Sequence, residues 1–243
     1  MFHMIIGVLH LLPTDDPDFL DHAVRNAKKL EEAGVDAIIV ENFYDAPYKP
    51  KADFRTAVAV AVAARDVVKT VSVPVGVNLL RNACRAAAVI SQYAGGRFIR
   101  CNAYTDLVLS ESGLLKPQAP YLRGVKVLAD VHVKHGLTLY PPTLAEAVET
   151  ATTRANPAAI VVTGRKTGEP PDPVEVATAR AYTHLPVLVG SGICFNTLTL
   201  LKIADGAIVG TCLKEGKEVD LEKARRLVRE AKSMLNPRRP LLL

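Results

Sequence analysis

Short apolar runs rich in β-branched residues recur along the chain, and the segments between them carry helical spacing. A parallel strand buried on both faces reads as such a near-continuous apolar run. The runs predict strands near Ile5–Leu9, Ala37–Val40, Val73–Leu79, Phe98–Asn102, Val125–Val133, Ala159–Thr163, Val187–Val189 and Ala207–Val209. Helices are predicted over Asp18–Ala33, with Gly34 as its stop, and over Asp53–Val71, Arg81–Tyr93, Thr143–Thr153, Pro173–Thr183, Asn196–Ala204 and Leu221–Met234. Pro173 follows Asp172, the pairing of an N-cap with a proline in the first helical turn. Alternating strands and helices imply parallel pairing with right-handed crossovers, and eight such units predict one α/β domain, a (β/α)8 TIM barrel. An open doubly wound sheet is the alternative. It calls for a Gly-x-Gly-x-x-Gly turn after the first strand, and Gly7–Pro13 does not supply one. The connection between strands four and five, Tyr104–Gly124, holds Pro117 and Pro120. It is expected to be a shortened, irregular loop with at most one helical turn.

Composition agrees with this picture. The chain has 243 residues, 49% hydrophobic and only 5% aromatic, so its core is built from Val, Ile, Leu and Ala. Thirty basic against 25 acidic residues give a net charge of +5. With no like-charge run and no basic stripe interleaved with aromatics, nucleic-acid binding is not expected, whereas a mildly basic surface suits a small anionic ligand. No apolar stretch has the length of a membrane span, and no leader pattern precedes the first strand. Four dispersed cysteines (Cys84, Cys101, Cys194, Cys212) form no CxxC pair, and Cys101 and Cys212 sit in apolar runs. They read as small buried hydrophobes in a reducing compartment, so a cytoplasmic protein is expected. A homo-oligomer is expected as well.

In such a barrel, ligand-contacting residues lie at the C-terminal strand ends. Strand alternation in Lys126–His135 puts Lys126, Leu128, Asp130, His132 and Lys134 on one face and valines and Ala129 on the other. The valines belong under the helices, so Asp130, His132 and Lys134 should line the interior near the mouth. Unlike titratable groups buried together are costly unless they pair or bind something. They make Asp130, His132 and Lys134, with Glu41 from strand two, candidate acid/base residues. The plain structural alternative is an ion pair of Asp130 with Lys126 or Lys134. His10, Asn42, Asn78, Arg81, Arg100, Asn102 and Thr163 lie at or just past other strand ends and are candidate substrate contacts. Gly190, Ser191 and Gly192 after strand seven, with Gly210 and Thr211 after strand eight, fit the phosphate site common in these barrels. Glycine there lets an anion approach backbone N–H groups. Glu41, Asp130 and His132 also offer a possible Mg²⁺ site, and Lys134 an amine for a Schiff base.

These segments resemble the BtpA/SgcQ family. Gly7–Pro13 resembles its opening Gly-Met-Val-His-Leu-x-Pro, and Val40–Pro47 its Val-Glu-Asn-Phe-x-Asp-x-Pro. Pro74–Asn82, Ala129–His135, Thr163-Gly164 with Thr167-Gly168, Val189–Gly192 and Asp205–Thr211 continue the match in order along nearly the whole chain. Departures are Val8-Leu9 before His10 and the short connection between strands four and five. The resemblance implies a barrel of the ribulose-phosphate-binding type. Photosynthetic members are linked to photosystem I assembly or stability, and others sit among sugar-metabolism genes. Two expectations follow: an enzyme on a phosphorylated sugar or nucleoside-like substrate, or a non-catalytic assembly factor. The second requires an exposed apolar patch, in Tyr104–Tyr121 or the Leu241–Leu243 tail.

Overall fold

The structure, a computed structural model, describes residues 4–234. Eight parallel strands close on themselves: β1 (Met4–His10), β2 (Ala37–Glu41), β3 (Val75–Asn78), β4 (Phe98–Cys101), β5 (Val127–Val131), β6 (Ala159–Val162), β7 (Val187–Val189) and β8 (Gly206–Val209). Each pairs with its sequence neighbours, and β8 closes on β1 from Met4↔Gly206 to Gly7↔Val209. That closure rules out the open sheet.

Alternation divides every strand between two cores. Met4, Ile6, Val8, Ala37, Ile39, Phe98, Leu128, Ala159, Val161, Leu188 and Ile208 fill the barrel interior. Ile5, Leu9, Ile38, Val40, Val75, Val77, Ile99, Val127, Ala129 and Val131 pack outward. Phe98 fills the interior opposite Gly76, where a Cβ would run into its ring. The outward layer lies under α1 (Phe19–Glu32), α2 (Phe54–Thr70), α3 (Cys84–Ala94), α4 (Leu144–Thr150), α5 (Pro173–Ala181) and α6 (Leu221–Met234). The Asp172–Pro173 start of α5 is a capping box, with Glu175 returning the bond to the cap backbone. Gly34 takes φ +87° just past α1.

Four elements differ from expectation. The β4–β5 connection has the expected single short turn, a 3-10 turn at Ala119–Tyr121, but it also holds two strands, Leu107–Ser110 and Gly113–Leu115. A third strand, Gly136–Tyr140, comes from beyond β5 and pairs antiparallel with Leu107–Ser110. Ala103, Val108, Leu115 and Val133 give this small sheet its own core. Its outer side leaves Leu109, Leu114, Leu137 and Leu139 exposed. Between β7 and β8 only a 3-10 stretch, Leu198–Lys202, replaces the predicted helix.

The cysteines overturn their prediction. Cys84 is bonded to Cys101 and Cys194 to Cys212, with Cα separations of 5.5 and 5.6 Å, ordinary for disulfides. Disulfides occur in oxidising compartments and in intracellular proteins of hyperthermophiles, so cysteine usage no longer indicates a reducing compartment. No helix among the described residues is long and apolar enough to cross a membrane.

Candidate active site at the barrel mouth

Strand register assembles the site. His10 pairs with Glu41 and Glu41 with Asn78, so three inward-facing polar side chains form a row across β1, β2 and β3. Asn78 Nδ2 donates to Glu41 Oε2 at 2.6 Å, and His10 Nε2 lies 3.8 Å from Glu41 Oε1. The His10 ring stacks on Phe43 at 4.0 Å between centroids. Burial holds the His10 pKa well below its ordinary value, and the positive charges of Lys214, Lys134 and Arg100 push the same way. His10 is therefore a neutral imidazole at neutral pH.

Around this row opens a cavity of about 400 Å³, within the usual range of ligand sites. His10, Glu41, Arg100, Lys134, Gly190, Ser191, Gly192, Gly210 and Thr211 line it, joined by Lys214 and Lys223. Four basic side chains thus face one carboxylate. A second lobe of about 240 Å³ shares Glu41, Arg100 and Lys134 and adds Asn78, Arg81 and Asn102. Buried atoms there include Asn102 Oδ1 and Arg81 Nε, neither with a hydrogen-bond partner, though Arg81 Nε lies 3.6 Å from Glu111. Burial lowers the Lys134 amine to about 8, with Arg100 acting in the same direction and Glu41 and Asp130 against it.

The glycine loops are tied down from behind. Ser191 Oγ accepts from Gly164 N and donates to Glu169 O, and Gly190 N donates to Val162 O. Both groups are engaged in the scaffold, which corrects their reading as free donors to an anion. At Gly192, with φ +69°, a Cβ would strike the Pro170 backbone. The Cys194–Cys212 disulfide then clamps the loop after β7 to the loop after β8. The sequence did carry a signal for it: each cysteine stands two residues past a glycine at the exit of neighbouring strands.

Four further candidates lie elsewhere. Asp130 has no solvent exposure and forms the floor beneath the cavity. It accepts from Arg100 Nε at 2.9 Å, Arg100 Nη2 at 3.0 Å and Asn102 Nδ2 at 2.8 Å, so its ion-pair partner is Arg100 rather than Lys126 or Lys134. His132 leaves the mouth altogether. β5 ends at Val131 and His132 takes φ +47°, which breaks the alternation that had aimed its ring inward. Asp106, a carboxyl raised to about 6 by burial, accepts the His132 N–H at 2.8 Å, and the ring Nε2 lies 3.2 Å from Pro141 O. Asn42 Oδ1 accepts from Leu80 N, holding the loop after β3, and Thr163 Oγ1 accepts from Lys134 N. The suggested Mg²⁺ ligands Glu41, Asp130 and His132 are accordingly not brought together, and no group of three His, Cys, Asp or Glu among the described residues could hold a metal.

Strand alternation gives no signal for Lys223, on α6, nor for Lys214. Lys214 lies just past β8, outside regular barrel alternation, and its depth depends on the turn Thr211–Leu213. It is buried, lines the cavity, and its Nζ has no hydrogen-bond partner. Burial lowers its pKa to about 7, with Glu41 opposing.

Fold and mouth together define a (β/α)8 barrel with a polar, cation-rich cavity at the C-terminal strand ends. The chain belongs to the BtpA family, whose model matches residues 1–233. It is 39% identical to an uncharacterised protein of Pyrococcus furiosus over 95% of both chains. It is 35% identical to the photosystem I biogenesis protein BtpA of Synechocystis, covering 86% of this chain and 80% of that one. Among solved structures, the fold is shared with (S)-3-O-geranylgeranylglyceryl phosphate synthase of Thermoplasma acidophilum in complex with its substrate sn-glycerol-1-phosphate. There the TM-score is 0.59 at 14% identity, covering 95% of this chain and 94% of that one.

Proposed function

We propose that the mouth binds a small phosphorylated molecule and that the chain is an enzyme working on its sugar-like body by acid/base chemistry. The observation that carries this reading is the basic lining of the cavity: Arg100, Lys134 and Lys223, with the Lys214 amine beside them, against the carboxylate of Glu41 alone. Walls of low dielectric strengthen such a field and favour an anion. Thr211 and Gly192 offer small, close surfaces for the phosphate. Glu41 and neutral His10 supply a carboxylate base and a neutral proton carrier, while Asn78, Arg81 and the unpartnered Asn102 Oδ1 suit hydroxyl groups. Asp130 is a positioning residue for Arg100. The phosphate ester bound by the Thermoplasma barrel is compatible with this class of ligand.

The test is thermal stability against a panel of phosphorylated sugars and nucleotides. A ligand at a hundredfold its dissociation constant stabilises by about 2.7 kcal/mol, and at about 2–4 °C per kcal/mol for this chain length it raises Tm by roughly 5–11 °C. Thr211 is exposed, so Thr211→Glu should keep the fold and abolish the shift by like-charge repulsion. Gly192→Asp is a poor substitute, because the added Cβ alone disturbs Pro170. Silence from every phosphorylated compound and from inorganic phosphate would sink the reading.

One observation favours the assembly-factor reading as a second possibility. Leu109, Leu114, Leu137 and Leu139 expose a contiguous apolar sheet face in the region where a partner surface was expected. The Leu241–Leu243 tail lies outside the described residues. Under this reading, Leu109→Lys with Leu137→Glu removes partner capture while ligand-induced stabilisation is retained.

A further inference from the structure

Most buried charges of the barrel mouth have partners. Arg100 is held by Asp130, and Glu41 by Asn78 with His10 nearby. Lys214 differs. A short antiparallel pair, Lys214↔Val219, fixes its backbone, and its carbonyl accepts from Lys223 Nζ at 3.1 Å. Its own Nζ, 7% exposed as a residue, meets no acceptor and lies 6.0 Å from the centre of the Tyr44 ring. An ammonium left without partners in such a place is penalised by desolvation, which shifts the balance toward the free amine. A desolvated amine in a ligand cavity is a nucleophile toward carbonyl carbon. The chain leaving β8 also runs against the acid/base row: a Cβ on Gly210 would come within 2.9 Å of His10 Nε2.

We propose that Lys214 forms a protonated imine with the carbonyl carbon of a phosphorylated aldehyde or ketone bound in the cavity. This rests on the phosphate-binding reading above and adds the reacting group. The Nζ lone pair makes the C–N bond as the carbonyl π pair moves to oxygen. Glu41 carries one amine proton to that oxygen, leaving a neutral carbinolamine. The hydroxyl takes a proton from solvent and departs as water while the nitrogen lone pair closes the C=N bond. One water is released and one proton taken up, with no change of oxidation state. Addition of water reverses the sequence. The iminium withdraws electrons from the neighbouring carbon, whose proton Glu41 or His10 can then accept.

The experiment traps the imine. The full chain is incubated with glyceraldehyde 3-phosphate, dihydroxyacetone phosphate or ribose 5-phosphate, reduced with borohydride, and examined by intact mass and peptide mapping. Thermal shift is recorded with the same compounds. The expected result is one adduct per chain on Lys214, absent from Lys214→Met and from Lys214→Arg. The arginine variant carries a positive charge but no nucleophilic amine, which separates covalent chemistry from charge. Circular dichroism checks that both variants fold. A thermal shift with no adduct on Lys214, or with adducts on Lys134 or scattered over surface lysines, overturns the imine and leaves phosphate binding intact. Neither shift nor adduct overturns both.

Discussion

Asp130→Asn removes one charge from the floor of the site and nearly nothing else. In the native barrel the Asp130 side chain is 0% and Arg100 3% exposed, and three hydrogen bonds of 2.8–3.0 Å converge on the carboxylate. An asparagine there keeps one acceptor oxygen, so one guanidinium bond survives at best. Its NH₂ must face the donors of Arg100 or Asn102. The larger effect is the guanidinium left buried without its hydrogen-bonded counter-charge. Breaking a buried pair in this way costs about 3–5 kcal/mol, or roughly 6–20 °C in Tm at this chain length. The chain has no tryptophan, so urea unfolding is followed by far-ultraviolet circular dichroism. The double variant Arg100→Met/Asp130→Leu replaces the whole pair with apolar volume and should be more stable than Asp130→Asn alone. A loss below about 1 kcal/mol for Asp130→Asn, or a double variant less stable than the single, would refute Asp130 as the electrostatic support of Arg100.

Lys214 imposes a pH dependence of opposite sign to that of a paired lysine. Its folded pKa, about 7, lies below its ordinary 10.5. Between these values the unfolded chain binds the extra proton, so stability rises with pH across that window and the penalty is full below it. Lys214→Met should therefore stabilise the chain at pH 6, with the advantage fading toward pH 10. Parallel unfolding curves at both values check this, and a pH-independent difference contradicts it. Gly206→Ala aims a methyl at the Met4 carbonyl oxygen across the β8–β1 seam, a strand backbone that cannot yield. Overpacking of this kind costs about 1–3 kcal/mol, and unchanged urea stability would show that the seam relaxes. Protein unfolded without reductant should show no titratable thiol, and four after reduction. The bridges span sequence separations of 17 and 18, and each should contribute about 3 kcal/mol to thermal stability; free thiols before reduction would disprove the pairing.

The sequence by itself determined the barrel. Its eight apolar runs are the eight strands, and because alternation has a period of two, they also fixed which residues face inward. That brought Glu41, Asn78 and Arg100 to the mouth without reference to any contact. Glycines at the exits of β7 and β8 were legible for the same reason, since a βα turn and a close ligand approach both select them. Alternation stops where a strand stops, and there the tertiary structure decided. His132 was read as one more inward residue of β5, but its left-handed backbone, held by Asp106 from a distant loop, turns it away. Lys214 was overlooked because a turn, not a strand, carries it into the cavity. Asp130 was placed inside, yet only the register of β5 on β4, with Arg100 beside Leu128, shows that it reaches Arg100 before it reaches a ligand. The disulfides and the small sheet built on Leu107–Ser110 likewise depend on which loops lie side by side. Local spacing specifies the period of an element and the face of each side chain; partnership between strand ends is set by closure of the barrel, which no window of sequence contains.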